Sequence, residues 1–336
     1  MKRMWLAGLV FGVVVGLGYW LAVLDWSVAQ AQQRTLTIAM IPKVVGIDYF
    51  NATRMGAEQA VRELGGIRFI HQGPTEARVD RQIELIENFI TARVDVIAVA
   101  PNDPVAIAPA LQKAQRAGIK VVTYDADANA RDVFVNQATF EGIGKALVDE
   151  MVKQVGPNAE VAIVTSSLTA PNQNAWIAAM KAYMAQRYPN LKVVDLKPSE
   201  EDQQLAFQVT QDLLKAHPTL KGVWALSSVA FPGAAEAVKQ AGKCGQVAVV
   251  GLSTPKQMRP YVKEGCVKSV VLWNPVDLGY LTIYTAKQLA EKGLKPGDKI
   301  VTKRGTWTVE KDKISLQVLL GPPFIFTAEN IDKFDF

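Results

Sequence analysis

The feature that most constrains the fold of this chain is a strict alternation of short apolar segments with longer amphipathic segments. Between Thr35 and Tyr124, runs of strand length rich in Val, Ile and Ala alternate with segments of helical length. Runs of this kind are typical of parallel strands whose two faces are both covered by helices. The first part of the chain is therefore predicted to form a doubly wound parallel sheet.

The alternation restarts in the second half of the chain. The segment Val161–Gly251 repeats it and predicts a second sheet of similar design. The runs 299–303, 306–309 and 314–319 instead resemble short antiparallel strands. A chain of 336 residues also exceeds the size at which a single core usually keeps growing. The predicted fold class is α/β, with two doubly wound parallel-sheet lobes.

The first 31 residues have a different pattern. Lys2 and Arg3 precede an uncharged run, residues 4–24, and the small residues Ala29 and Ala31 follow at the spacing of a signal peptidase site. We expect a signal peptide, residues 1–31, and hence export. The apolar run is also long enough to span a bilayer, so an uncleaved membrane anchor is the alternative.

The charges of the chain argue against a nucleic-acid partner. The formal net charge is +5 at pH 7, with 21% charged residues. Basic and acidic residues are interspersed along the chain, whereas a nucleic-acid patch requires clustering on one face. We expect a soluble, exported protein that binds no nucleic acid.

The two cysteines of the chain are candidates for a disulfide bond with each other. Cys244 and Cys266 each lie just before a predicted strand, 247–251 and 269–273. Neighbouring parallel strands bring their amino ends together, and an oxidising compartment lets a disulfide persist. Two unpaired thiols are the alternative, because the geometry must also allow the bond.

Polar and aromatic residues collect where the predicted strands end. In an open parallel sheet, ligands bind in the crevice outside these carboxyl ends. Aromatic rings pack on the apolar faces of sugars, while amides and carboxylates hydrogen-bond to hydroxyl groups. The candidate ligand-binding residues are Lys43, Tyr49, Phe50, Asn102, Asp125, Asn172, Gln173, Ser228, Ser253, Trp273 and Asn274. Asp127, Trp176, Ser227 and Asp277 also lie at strand ends.

Several of these candidates have a structural alternative. Asp127 is better interpreted as a turn or cap residue, and Asn172 could cap its helix. The two aromatic residues after the first strand could belong to the core. Lys43 is costly to bury without a partner, which Asp125 or a ligand oxygen could supply, unless it is simply solvated.

Catalytic, cofactor and metal motifs are not recognisable in the sequence. The histidines, His71 and His217, accompany no nucleophile motif. Gly142 and Gly144 lack the third glycine of the dinucleotide fingerprint, and metal-ligand spacing is missing. We expect no catalytic residues, no cofactor and no metal.

Seven longer segments together resemble one known family. They are Ile38–Phe50, Gln72–Ile90, Val121–Asp127, Val135–Thr139, Asn172–Trp176, Gly251–Lys268 and Leu272–Tyr280. In this order they resemble the periplasmic sugar-binding proteins of ABC transporters, which have the type I fold. The resemblance is strongest to the branch that contains the rhamnose-binding and autoinducer-2-binding proteins.

The resemblance assigns ligand contacts residue by residue. The autoinducer-2 binders have a lysine after isoleucine-proline, here Lys43, and an aspartate after the fourth strand, here Asp125. Their aspartate-glutamine pair is here Asn172-Gln173, and their alanine-proline-aspartate-alanine turn is here Ala225-Leu226-Ser227-Ser228. The segments SSVAFPG and LWNPVDLGY look more like those of the rhamnose-type transporter proteins. A rhamnose-like deoxyhexose is therefore the favoured ligand and autoinducer-2 the alternative.

The same resemblance implies an architecture and a partner. Two lobes joined by a three-strand hinge would close on the sugar and present it to a membrane ABC permease, with the protein acting as a periplasmic monomer. The implied crossovers lie near 136–140, near 274–276 and within 305–322. The implied lobes are residues 34–137 plus 276–310 and residues 138–274 plus 316–336.

Three other classes of protein are alternatives. The effector domain of a transcriptional regulator shares this fold, but it would carry a helix-turn-helix where the export segment lies here. An enzyme would require a general base or nucleophile in the cleft. A receptor-coupled sensor would have the same binding lobes, so the sequence does not distinguish sensing from transport.

Overall fold

The computed structural model describes residues 35–336. The predicted signal peptide and its alternative, a membrane anchor, lie outside the described residues. Within residues 35–336, no helix has the length and apolar character needed to cross a bilayer.

Strands and helices alternate along the described chain, as the sequence pattern predicts. The strands are β1 (Leu36–Ile41), β2 (Ile67–His71), β3 (Val96–Val99), β4 (Lys120–Tyr124), β5 (Val133–Asn136), β6 (Glu160–Thr165), β7 (Lys192–Pro198), β8 (Gly222–Ala225), β9 (Ala248–Gly251), β10 (Val270–Leu272), β11 (Lys299–Thr302), β12 (Gly305–Lys311), β13 (Leu316–Leu319) and β14 (Phe324–Phe326). The α-helices are α1 (Asp48–Leu64), α2 (Val79–Thr91), α3 (Ala108–Arg116), α4 (Phe140–Val155), α5 (Pro171–Arg187), α6 (Gln203–Ala216), α7 (Ala230–Gln240), α8 (Pro255–Lys263) and α9 (Pro275–Lys292). A 3-10 turn, Ile331–Lys333, follows β14.

The larger sheet has the strand order β11-β12-β13-β5-β4-β3-β1-β2. Strands β13, β5, β4, β3 and β1 run parallel, whereas β11 and β12 add an antiparallel edge. All residues of β3 and β5 are buried, as expected for strands covered by helices on both faces. This arrangement confirms the predicted α/β class.

Helices cover the larger sheet on both faces. On one face, α2 and α3 pack Ile86 and Leu111 against Ile97 and Val99 of β3. On the other, α9 packs against β4, β5 and α1. The backbones of α1 and α9 nearly touch, since a Cβ atom on Gly279 would lie 1.8 Å from the carbonyl oxygen of Thr53.

The smaller sheet is all parallel, with the order β7-β6-β8-β9. Helix α4 packs on α5, and α6 packs on α7. A short antiparallel pair, β10 with β14, lies beside β9. The carboxyl ends of this sheet carry the second group of predicted site residues.

One half of the molecule is built on the larger sheet and the other on the smaller sheet. Within residues 35–336 the chain passes between these two halves at three places. These are the connections from β5 to α4, from β10 to α9 and from β13 to β14. The sequence assigned residues 316–336 to the second lobe, but β13 pairs with β5 in the larger sheet. The hairpin with β12 returns β13 to that sheet, and strand pattern alone does not indicate which sheet an edge strand joins. The other lobe boundaries remain predictions.

Cys244 and Cys266 form a disulfide, with Cα atoms 4.6 Å apart. The bond lies near the amino end of β9, far along the strand from the carboxyl ends of the sheet. Among the described residues there is no free cysteine, so the alternative of two unpaired thiols does not apply to this structure.

Candidate functional site

A cavity whose empty volume, including the space open to solvent, is about 370 Å³ lies where the carboxyl ends of strands from both sheets converge. Its walls combine charged, amide, hydroxyl, aromatic and aliphatic side chains. They are Lys43, Ile47, Tyr49, Phe50, Asp125, Asn172, Gln173, Trp176, Glu201, Leu226, Ser227, Ser228, Leu252, Leu272 and Trp273.

Lys43 follows β1 and is buried, with 2% of its surface exposed. Its Nζ donates a hydrogen bond to Asn172 Oδ1 at 2.9 Å and lies 3.9 Å from Asp125 Oδ2. Asn172 Nδ2 in turn lies 3.4 Å from Asp125 Oδ2. A buried ammonium requires such partners, so the alternative of a solvated Lys43 is wrong.

Asp125 directly follows β4 and is also buried. Its backbone has a φ of 63°, in the left-handed region that non-glycine residues rarely adopt. Tyr49 donates a 2.6 Å hydrogen bond to Asp125 Oδ1. Burial raises the pKa of the Asp125 carboxyl, while the Lys43 ammonium and the Tyr49 hydroxyl act to lower it. Backbone strain of this kind is often found at functional sites.

Four aromatic residues that line the cavity lie close to one another. The ring of Tyr49 lies 5.1 Å from that of Phe50 and 6.0 Å from that of Trp273, and Trp176 lies 5.8 Å from Trp273. Trp273 Nε1 donates to the Tyr49 hydroxyl at 2.8 Å. Tyr49 and Phe50 are buried and also line the cavity. They are therefore part of the core, as the structural alternative predicts, and they also lie at the predicted ligand site.

Gln173 lies in the first turn of α5, and its amide oxygen already accepts two hydrogen bonds from the protein. Its Oε1 accepts hydrogen bonds from Thr165 Oγ1 at 2.6 Å and from the Ser166 amide at 2.7 Å. These contacts fix the orientation of the side chain and leave Nε2 as its hydrogen-bond donor. Gln173 can therefore donate to an oxygen atom in the cavity.

Glu201 is a cavity residue that the sequence analysis missed. It lies in the turn between β7 and α6 and is half-buried. Burial raises the pKa of its carboxyl, whereas the Lys43 ammonium and hydrogen bonds from Ser227 and Ser166 act to lower it. The only signal in the sequence was its position after a strand, within a polar run that is typical of an exposed turn.

The aliphatic lining was also missed. Ile47 follows β1, and Leu226, Leu252 and Leu272 lie at or next to the ends of β8, β9 and β10. Apolar residues at these positions look like the continuation of a buried strand. Extending the strand-end rule to apolar side chains would have found the three leucines.

Three predicted ligand-binding residues do not line the cavity. Asn102 Nδ2 donates to the carbonyl oxygen of Lys43 at 3.0 Å, and Ser253 Oγ donates to that of Ser228 at 2.7 Å. Asn274 caps α9 by accepting from the Val276 amide at 2.9 Å. All three support the walls. The other eight predicted residues line the cavity together.

Two further strand-end carboxylates have structural partners. Asp127 accepts hydrogen bonds from Thr123 at 2.7 Å and from the buried Arg131 at 2.7 and 2.9 Å, as its interpretation as a turn residue predicts. Asp277 pairs with Arg304. No group of three or more His, Cys, Asp or Glu residues within 35–336 is arranged to hold a metal ion.

Comparison with known proteins gives a consistent result. Residues 38–295 match the family described as periplasmic binding protein domain. The D-ribose/D-allose-binding protein of Pseudomonas aeruginosa is 30% identical over 242 residues, which cover 68% of this chain and 74% of that protein. The D-allose-binding periplasmic protein of Escherichia coli is 25% identical over 251 residues, covering 72% and 80%.

Two solved structures resemble the chain over nearly its whole length. An ABC transporter solute-binding protein from Clostridium phytofermentas with bound L-rhamnose has a TM-score of 0.85 and 31% identity, covering 89% of this chain and 98% of that one. LsrB from Clostridium saccharobutylicum in complex with AI-2 also has a TM-score of 0.85, with 27% identity, covering 90% and 100%.

Proposed function

The chain belongs to the periplasmic binding protein family, and we propose that it captures a small sugar, a rhamnose-like deoxyhexose in first place, and delivers it to an ABC permease. Members of this family are extracytoplasmic proteins that bind sugars for ABC transporters. The observation that carries the proposal is the cavity between the two sheets, which is lined both by hydrogen-bonding groups and by aromatic rings.

The chemistry of the walls supports a sugar. The rings of Tyr49, Phe50 and Trp273 offer apolar faces to a pyranose, whereas Asp125 and Gln173 offer an acceptor and a donor for its hydroxyl groups. The aliphatic lining suits the methyl group of a 6-deoxyhexose, since a hydroxymethyl group there would lose hydrogen bonds to water. The relative solved with L-rhamnose supports the same choice.

Autoinducer-2 is the second candidate. The observation that favours it is the grouping of Lys43, Asp125 and Gln173, the residues at which the sequence resembles the autoinducer-2 binders. LsrB in complex with AI-2 has the same TM-score as the rhamnose-bound relative. For this ligand, either uptake or receptor-coupled sensing would follow.

The proposed mechanism is closure of two lobes around the ligand by a monomer exported to the periplasm. The three connections between the halves would act as the hinge, and the sugar would shift the population toward the closed form by completing contacts to both walls. The closed surface would then be the one that the permease recognises.

A thermal-shift screen of the mature protein tests the ligand. We expect stabilisation by L-rhamnose or a related deoxyhexose from a panel that also contains fucose, ribose, xylose and autoinducer-2. Ligand at 100 times its Kd stabilises the folded state by about 2.7 kcal/mol, so a true ligand is readily detected. The absence of a shift for every compound would contradict the proposal.

Two variants test the cavity. Asp125→Ala and Gln173→Ala should each lose most of the affinity in calorimetric titrations, and thermal melts without ligand verify that each variant folds. Asp212→Ala is a matched control, because its side chain is 74% exposed on α6. Unchanged titrations in both cavity variants would show that the site lies elsewhere.

A further inference from the structure

We propose that Glu201 determines the charge class of the ligand, so that the cavity accepts uncharged polyols and excludes anionic sugars such as uronic acids and sugar phosphates. The inference deepens the proposed function and rests on it. It concerns a second carboxylate in the cavity, in addition to Asp125.

The backbone holds Glu201 in an unusual position. Glu200 and Glu201 have φ values of 51° and 54°, which non-glycine residues rarely adopt. The turn is fixed against the end of β6, where the Ser199 amide donates to the Thr165 carbonyl oxygen at 2.8 Å and the Glu200 amide donates to that of Ser166 at 2.6 Å. Glu200 is exposed, whereas Glu201 lines the cavity.

The charges of the cavity do not balance. Lys43 is the cationic side chain among the lining residues, and its ion pair is with Asp125. Among the described residues, Glu201 forms no direct ion pair, and the Lys43 ammonium acts on its carboxyl electrostatically. When both carboxyl groups are ionised, one negative charge is left without a counter-charge.

An uncompensated carboxylate selects against negative charge in two ways. It accepts hydrogen bonds and donates none, so sugar hydroxyl groups are suitable partners while a carboxylate or phosphate offers it no proton. Like charges in a site of low dielectric constant also repel, by enough to lower affinity by on the order of 100-fold. The same carboxylate is well suited to a pair of neighbouring hydroxyl groups.

Calorimetric titration of the mature protein at neutral pH tests this inference. The probes are L-rhamnose, D-fucose, D-galactose and D-galacturonate, of which the last three differ at C6 as methyl, hydroxymethyl and carboxylate. We expect the wild type to bind a neutral sugar and to bind galacturonate on the order of 100-fold more weakly. In Glu201→Gln the ratio of the affinity for the neutral sugar to the affinity for galacturonate should shrink at least tenfold.

Two further variants act as controls. Glu200→Gln removes the exposed neighbouring charge and should keep the wild-type ratio, and Glu201→Asp retains the charge and should still exclude galacturonate. Thermal melts of each variant without ligand verify folding. Equal affinity of the wild type for D-fucose and D-galacturonate, or an unchanged ratio in Glu201→Gln, would overturn the inference while leaving the sugar-binding function intact. Failure of every neutral sugar to bind would instead overturn the proposed function, and the inference with it.

Discussion

At the scale of single residues, the cavity keeps two carboxyl groups in a place that does not favour their charge. Burial raises the pKa of both Asp125 and Glu201. The effect on Asp125 is opposed by Lys43 and Tyr49, and the effect on Glu201 by Lys43, Ser227 and Ser166. Neither group of residues cancels it. A carboxyl whose pKa is higher in the folded chain than in the unfolded chain reduces stability as it ionises.

This sign gives a stability prediction for Glu201→Gln. The substitution removes the charge, so the ligand-free variant should melt a few degrees higher than the wild type at neutral pH. As the pH falls below the usual carboxyl range, near 4, the wild type becomes protonated and the difference should disappear. Thermal melts from neutral pH down to about pH 4 measure this difference in Tm, with Glu200→Gln as the control. A lower Tm at neutral pH would contradict the assigned direction.

Sequence reasoning found some residues of the cavity and missed others for identifiable reasons. Lys43, Asp125 and Gln173 are polar side chains placed directly after buried strands or in the first turn of a helix, where the strand-end rule applies. The position of Glu201 depends on the left-handed backbone of two successive glutamates. No sequence rule predicts that conformation for glutamate, which rarely adopts it.

At the scale of elements, the contact between α1 and α9 holds the aromatic wall together. Tyr49 lies in the first turn of α1, and Trp273 lies two residues before α9 begins. The hydrogen bond between their side chains therefore depends on the distance between the two helices. Gly56 and Gly279 set that distance, since a Cβ atom on either would lie 1.8 Å from a carbonyl oxygen of the other helix.

We expect Gly279→Ala to force the helices apart. Overpacking of this kind costs about 1–3 kcal/mol of stability, and the displaced Tyr49 should lower ligand affinity as well. Denaturant melts and titrations measure the two effects. Gly321→Ala is the matched control, because a Cβ atom there has no neighbour within 4 Å. Equal behaviour of the two variants would show that the helix contact is not tight.

The elements themselves were largely predictable because the alternation of apolar and amphipathic segments is strong. The predicted strands 247–251 and 269–273 overlap β9 and β10, and the predicted runs 299–303, 306–309 and 314–319 overlap β11, β12 and β13. Strand β14 was missed because its three residues are too short to show a period. The sheet joined by β13 was assigned wrongly because edge-strand pairing depends on distant parts of the chain.

At the scale of the whole molecule, the disulfide and the cavity are separate features. Cys244 and Cys266 are 22 residues apart in sequence, and a loop of this length corresponds to about 3 kcal/mol of stabilisation. The double variant Cys244→Ser, Cys266→Ser should lose roughly this amount in urea melts and keep wild-type ligand affinity. A large loss of affinity would show that the two ends of the smaller sheet are coupled.

The three connections between the halves also bear on how the protein is made. A polypeptide is synthesised amino end first, so β5 emerges long before β13, the strand that pairs with it in the larger sheet. Until then β5 is an open edge, and open edges are sites of aggregation. The smaller sheet, β6 to β9, lies entirely within the intervening segment and can form first. We therefore expect the larger sheet to assemble last, and newly made chains to depend on a chaperone during that interval.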